Sequence, residues 1–429
     1  MRNEYLAALT MSFENNKARK AVEAHEFFAD LCLNGKLPDW YYHADAAVVV
    51  LPLSKNHTTE IEKNPDLRPI GMGNCDRRAW TAAAVRERAE LAEQILMPIQ
   101  VACGVKAGGQ LLSTAVPAHL ELFPDHVLMS TDFANAFPTM ARAEMLKGLV
   151  EAPNGIRDLS PYAHASFSPH ATAKGFSFKI VEGGQMGDPI VPLAYCIAIH
   201  PDLVWADEQL RKVGGCVKAQ MDDINLLGPL RDVFRVTVEL AERLKQRCNQ
   251  HLNASKCKIL GRDTNGIRAF LAANTAYSEF KVACTPGSNP LTVQWGEGVG
   301  TTINGTPVGD AKFIDAHIAK VCEAAEAKIE KITHQLRDSN TQALGAIGAY
   351  CLQPLIHHLL QTLHPSIIMG HAKKFDKRDS QGRNGGHRET DKILLTNMPD
   401  GPPIELKHFY PLAQKSANPC VRCVNGSPC

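Results

Sequence analysis

Two adjacent carboxylates, Asp222 and Asp223, lie between two apolar runs, and they constrain this chain more than any other feature. Val217, Ala219 and Met221 alternate on the approach, and Ile224, Leu226 and Leu227 follow before Gly228-Pro229. The pattern predicts a β-hairpin whose turn carries both acids. Two charges at the tip of a buried strand pair are costly unless a cation compensates them. A second strand-like run, Val127 to Thr131, ends in Asp132. Hard carboxylate oxygens delivered from separate strands suit Mg²⁺, which otherwise keeps its waters and binds substrate phosphates. That is the layout of a two-metal phosphoryl-transfer site.

At 429 residues the chain has room for two or three domains, or for one multi-lobed unit. Its net charge is +1, so no global basic field announces nucleic acid, and any such partner must be held by local patches. No stretch reads as a membrane span and the N-terminus lacks a signal pattern, so the expectation is a soluble intracellular protein with no membrane partner. The 13 cysteines are scattered and odd in number. Cys103, Cys196, Cys322 and Cys351 sit in apolar contexts, as buried thiols of a reducing compartment do.

The chain divides by pattern into an N-terminal extension (1–60), a mixed helix and strand region (61–270), a helical region (271–365) and a tail (366–429). In the first, Lys17 to Leu33 is helix-like and Ala46 to Leu53 strand-like. One long helix is predicted from about Ala79 to Val101. Pro138 opens a helix with Met140, Ala143, Leu146 and Val150 on one face. Phe234, Val238, Ala241, Leu244 and Cys248 mark another. These elements fit an α+β layer with helices on one face of an antiparallel sheet. Ile314, Ile318, Val321, Ala325, Ile329, Ile332 and Leu336 predict a long helix, and Gln342 to Leu363 a second one broken at Pro354. From Gly370 to about Arg388 the residues are basic and poor in apolar side chains, which predicts flexibility.

Four short blocks follow one another in the mixed region. They are Asp132-Phe133-Ala134-Asn135-Ala136-Phe137, then Gly183 to Pro192, then Met221-Asp222-Asp223, then Asn253 to Leu260. Each has a plain structural account when taken singly. Asp-Asp is commonly a solvated turn, Phe137 a core residue, Lys256 a surface lysine, and Arg77 and Arg78 a solvated helix start.

In that order the blocks resemble those of a reverse transcriptase, more specifically of the non-LTR retrotransposon and group II intron branch. The resemblance runs from Leu67-Arg68-Pro69-Ile70, similar to the fingers motif, and Gly104 to Gly109, similar to the template-side loop after it. It continues through Ser130 to Phe137 (motif A), Gly187-Asp188-Pro189 with Pro192 (motif B), Met221-Asp222-Asp223 (motif C) and Asn253 through Cys257 (motif D). Gly305 to Gly309 and the two following helices resemble that group's thumb. Over residues 60 to 365 it implies a right-hand polymerase: fingers and palm in 61–270 and a thumb in 271–365.

The resemblance also implies roles. Asp132, Asp222 and Asp223 are the catalytic, metal-binding set, with Asp223 assisting, for two Mg²⁺ ions (or Mn²⁺) about 4 Å apart. Arg68, Phe133, Phe137, Gln185, Gly187 and Lys256 form the nucleotide site. A guanidinium fork at Arg68 suits triphosphate oxygens, with Arg77 and Arg78 as nearby candidates. Lys256 stands near the pyrophosphate. An aromatic ring at Phe137 leaves no room for a 2′-hydroxyl, so deoxynucleoside triphosphates are the implied substrates, with an RNA template and a DNA primer as partners. An RNA-templated RNA polymerase usually carries an acid at that offset.

Two positions depart from the family. Met186 stands where Gln precedes the motif B glycine, with Gln185 one place earlier. Gln220 replaces the aromatic residue two before the first acid of motif C. They leave open an alternative, a weakened or inactive derivative that binds nucleic acid without copying it. Cys420, Cys423 and Cys429, with His408, suggest a metal knuckle, although three thiols at this spacing are too few for structural zinc.

Overall fold

The apolar character of the Asp222 hairpin is shared by the run Val127 to Met129, and the sheet they build positions everything that follows. The computed structural model describes residues 16–43, 49–54, 67–72, 75–167, 170–173, 176–185, 187–277, 280, 292–294, 300–336, 347 and 353–382. Met186 and the tail residues His408, Cys420, Cys423 and Cys429 lie outside the described residues. The chain is a mixed helix and strand protein with antiparallel strand pairing, and it divides into two units. One comprises residues 1–108 and 129–257, the other residues 109–128 and 258–429.

In the first unit, β1 (Val49–Ser54) pairs antiparallel with β2 (Leu67–Met72) and parallel with β4 (His170–Ala173), which pairs antiparallel with β5 (Phe176–Lys179). The site sheet places β6 (Cys216–Gln220), β7 (Asp223–Pro229) and β3 (His126–Ser130) side by side in that order. The chain is divided within β3, so only Met129 and Ser130 of that strand belong here. Val217 and Ala219 of β6 and Ile224 to Leu227 of β7 are buried.

The helix Ile190–Arg211 packs against β6, the helix Leu230–Cys248 and the helix Arg142–Glu151. It is buried on every side from Ile190 to Ile199 apart from Pro192. Among the described residues it alone is long and apolar enough to cross a membrane, against the expectation of no such stretch, yet the rest of the chain buries most of it. Burial within the protein explains its composition.

In the second unit, β8 (Lys258–Gly261) and β9 (Thr292–Gln294) pair in parallel, and β10 (Gly300–Ile303) and β11 (Thr306–Gly309) form a hairpin. The helix Ala311–Leu336 presents Ile318, Cys322 and Ala325 to a core shared with Ile356, Leu359, Ile368 and Phe375. Part of the stretch expected to be flexible is therefore ordered: helix Pro365–Gly382 buries Ala372 and Phe375. Its apolar residues are sparse, but they fall on one face, and that suffices to dock it.

Three helical expectations shift. The single helix over 79–101 is two, Cys75–Glu87 and Ala89–Leu96, broken at Arg88 (φ −102°, ψ 13°). Past Pro98 the backbone turns to β6 instead, where Ala219 N–H donates to Ile99 O (2.8 Å) and Val101 N–H to Ala219 O (2.9 Å). After Pro138 the chain makes only the short turn Ala136–Thr139, then restarts at Arg142 after an extended Ala141. The restart changes the phase. Met145 and Leu149 are buried, whereas Ala143 and Val150 face solvent. In helix Leu230–Cys248 the buried face runs through Phe234, Leu240, Leu244 and Cys248, with Val238 exposed.

Candidate active site

The Asp222 hairpin closes with Gln220 opposite Asp223, so Met221 and Asp222 alone make the turn and Asp223 is the first residue of β7. Asp222 is half-buried and Asp223 exposed. Met221 holds φ +59°, a left-handed conformation that an unbranched non-glycine residue adopts only under constraint. Tight two-residue hairpins demand such angles.

Thr131 N–H donates to Ile224 O at 2.9 Å, and the Thr131 hydroxyl donates to the same oxygen at 3.1 Å. The end of β3 is thereby fixed at the start of β7. Asp132, next in the chain, therefore leaves the sheet at the end where Asp222 and Asp223 stand.

The Asn253 to Cys257 segment docks on Asp132. Asp132 O accepts from Asn253 N–H (2.8 Å), Ala134 N–H donates to His251 O (2.9 Å), and Phe133 bridges Leu252 in antiparallel fashion. Lys256 N–H donates to Asn253 O (2.9 Å), and the lysine side chain is exposed. Phe133 itself is buried. Burial, with the Asp132 charge adding to it, pushes the Cys257 thiol up to about 12.

Phe137 lies against Tyr195, ring centroids 4.6 Å apart and tilted 36°. The Tyr195 hydroxyl donates to Gln250 Oε1 (3.1 Å), and Gln250 Nε2 donates back to Ala136 O (3.0 Å). Burial, then the charge of Asp222 and more weakly that of Asp223, hold the Tyr195 phenol well above its ordinary range. Phe137 thus packs on a ring that feels both hairpin carboxylates. Tyr195 and Gln250 carry no sequence signal, one being inside an apolar helical run and the other at a helix end.

The Gly183 to Pro192 block folds back on the core. Gln185 is buried, and its Oε1 accepts from Arg77 Nη2 (2.9 Å). Asp188 is buried too, accepting from the Tyr162 hydroxyl (2.7 Å) and from Ile190 N–H (3.2 Å). Burial raises the Asp188 carboxyl above its ordinary value, opposed first by the nearby Arg77 charge. Arg77 was expected at a solvated helix start. It is fully buried instead, its Nη1 donating to Tyr42 O (3.0 Å), while Arg78 remains exposed. Hydrogen bonds from a guanidinium to fixed carbonyls make such burial tolerable. Gly187, at φ +112°, is exposed. Arg68 pairs with Leu53 in the backbone register of β2, and its side chain lies outside the described residues.

Asp132, Asp222 and Asp223 therefore share one end of one sheet, with Phe137 and the Lys256 segment beside them, whereas Gln185 is turned toward Arg77. No cluster of three or more His, Cys, Asp or Glu side chains able to hold a metal ion occurs among the described residues. The donor set nevertheless fits Mg²⁺ in kind, all hard carboxylate oxygen, because that ion is commonly held by one or two carboxylates with phosphate and water completing its shell.

No family model matches the chain, and no curated protein matches it. Among solved structures it is similar to apo telomerase from Candida tropicalis, at 9% identity and a TM-score of 0.39 over 51% of this chain and 45% of that one. The same telomerase truncated from its C-terminal domain gives 10% identity and a TM-score of 0.38 over 51% and 50%. The chain spans about half the length of these structures.

Proposed function

We propose that the chain is an RNA-directed DNA polymerase of a retroelement, a fingers and palm followed by a thumb, adding deoxynucleotides to a primer 3′-hydroxyl. The observation that carries this reading is the Thr131 to Ile224 bonding, which brings Asp132, Asp222 and Asp223 to one sheet end. Asp132 and Asp222 would hold two Mg²⁺ ions, with Asp223 assisting. When bound, such ions lower the pKa of the attacking hydroxyl and neutralise charge on the transferring phosphoryl and its leaving group. The protein's own part is placement. Phe137, backed by Tyr195, would occupy the space of a 2′-hydroxyl, and exposed Lys256 would face the leaving pyrophosphate. Primer extension on an RNA template tests the reading: the chain should incorporate deoxynucleotides, and Asp222→Ala should not.

One observation favours the weaker alternative, a nucleic-acid-binding derivative that does not copy. With Met186 in the usual glutamine position, Gln185 is the available substitute, and its amide is engaged with Arg77. Filter binding separates the two. Duplex affinity without incorporation, with incorporation appearing in Met186→Gln/Gln220→Tyr, would favour the derivative.

A further inference from the structure

Arg142, the first residue of helix Arg142–Glu151, directs its guanidinium at three backbone carbonyls, with the Glu182 charge nearby. Its Nε donates to Gly183 O (3.1 Å), Nη1 to Val181 O (2.8 Å), and Nη2 to Ile180 O (3.1 Å) and Gly183 O (3.0 Å). Its backbone N–H reaches Glu182 Oε2 (3.4 Å). One side chain thus gathers the carbonyls of residues 180, 181 and 183.

The same segment is bonded to the turn that carries Phe137. Gly183 N–H donates to Met140 O (3.0 Å) and Gly184 N–H to Phe137 O (3.3 Å). The contact has no slack: a Cβ on Gly183 would stand 2.4 Å from the carbonyl oxygens of both Phe137 and Pro138. From the other side, Asn249 Nδ2 donates to Thr139 O (2.9 Å) and Ala141 N–H to Cys248 O (2.9 Å). The Phe137 turn is therefore clamped between the 180–184 segment and the end of helix Leu230–Cys248.

We propose that Arg142 is a positioning residue for sugar selection, fixing the 180–184 segment against the Phe137 carbonyl so that the Phe137 ring stays seated on Tyr195. This rests on the polymerase reading and deepens it. Arg142 touches no substrate and acts through Phe137. A lysine there is not equivalent, because a single ammonium does not span the three carbonyls that the guanidinium fork reaches.

The test is the ratio of kcat/KM for dGTP to that for GTP on one primer and template. Arg142→Ala should lower this ratio on the order of tenfold, mainly by raising GTP use, as a loosened steric element does. Arg142→Lys should fall between Arg142→Ala and wild type. In a Phe137→Ala background, Arg142→Ala should change the ratio no further, since both act on one ring. Equal loss for both nucleotides, or an unchanged ratio, would overturn the proposal. If the wild-type chain turns over neither nucleotide, the polymerase reading fails separately. The ratio of Kd for GTP to Kd for dGTP is then read by calorimetry, alongside amide hydrogen exchange at Gly183 and Gly184. Arg142→Ala should relax both, and the proposal falls if either stays as in wild type.

Discussion

Thr131 N–H donates to Ile224 O at 2.9 Å, joining the residue before Asp132 to the residue after Asp223. That one bond, repeated by the Thr131 hydroxyl, brings acids ninety positions apart in sequence to a common strand end. The rest of the site is arranged around it: the Lys256 segment on the backbone of Asp132, and Phe137 on Tyr195.

Gly183 has φ +68° and no room for a Cβ against the Phe137 and Pro138 carbonyls. Gly183→Ala should therefore destabilise the first unit by at least about 2 kcal/mol, through backbone strain and a backbone clash together. Urea denaturation measures it. A change within about 0.5 kcal/mol, ordinary for an exposed surface site, would mean that the segment shifts freely.

Arg77 is fully buried and bonded to Tyr42 and Gln185, with Asp188 near it. Arg77→Ala leaves the buried Tyr42 and Gln185 oxygens without their donor, at about 1–3 kcal/mol for an unsatisfied buried acceptor, and removes the positive charge near Asp188. The loss should be smaller in an Asp188→Asn background, where no charge is stranded. A double-mutant cycle of unfolding free energies gives the coupling, and a cycle that is simply additive contradicts it.

Asp188 is raised by burial in the folded state. Its proton is therefore held more tightly folded than unfolded, and its contribution to stability is full below the ordinary carboxylate value. That contribution is lost as pH rises through the raised folded value. Asp188→Asn should flatten this part of the stability profile, read from urea midpoints across pH. A uniform displacement with the slope intact would show that another group is responsible.

Burial pushes the thiols of Cys32, Cys248 and Cys257 up to about 12, whereas Cys75 is exposed. The thiolate is the nucleophile, so iodoacetamide at mildly alkaline pH should label Cys75 in the native chain well before these three. Peptide mapping after timed quenching measures the order. Early modification of Cys257 would mean that the Asn253 to Cys257 segment is not docked on Asp132.

The β-elements of the site were legible in the sequence, because Val217, Ala219 and Met221 alternate into the hairpin and the apolar runs after Asp223 and before Asp132 are of strand length. Turn composition was less so. The pattern puts both acids in the turn, whereas the pairing of Gln220 with Asp223 leaves Asp222 as the one acid there. Helix faces failed where the backbone restarts, at Arg88 and at Ala141, since a phase inferred from spacing does not survive a break. Arg77 departs from its expected place because a charged side chain at a helix start is ordinarily solvated, and this one is fully buried. Its partners, Tyr42 O and Gln185, come from distant segments that no local pattern connects. Tyr195 and Gln250 were invisible for the same reason.

The most direct measurement is single-nucleotide primer extension on an RNA template with Mg²⁺, comparing wild type with Asp132→Asn and Asp222→Asn at matched folding. Deoxynucleotide addition by wild type and a loss of at least about a thousandfold in both variants is the predicted result, as expected when charge stabilisation dominates phosphoryl transfer. Incorporation that persists in either variant would contradict the assignment of these carboxylates, and with it the account of the site.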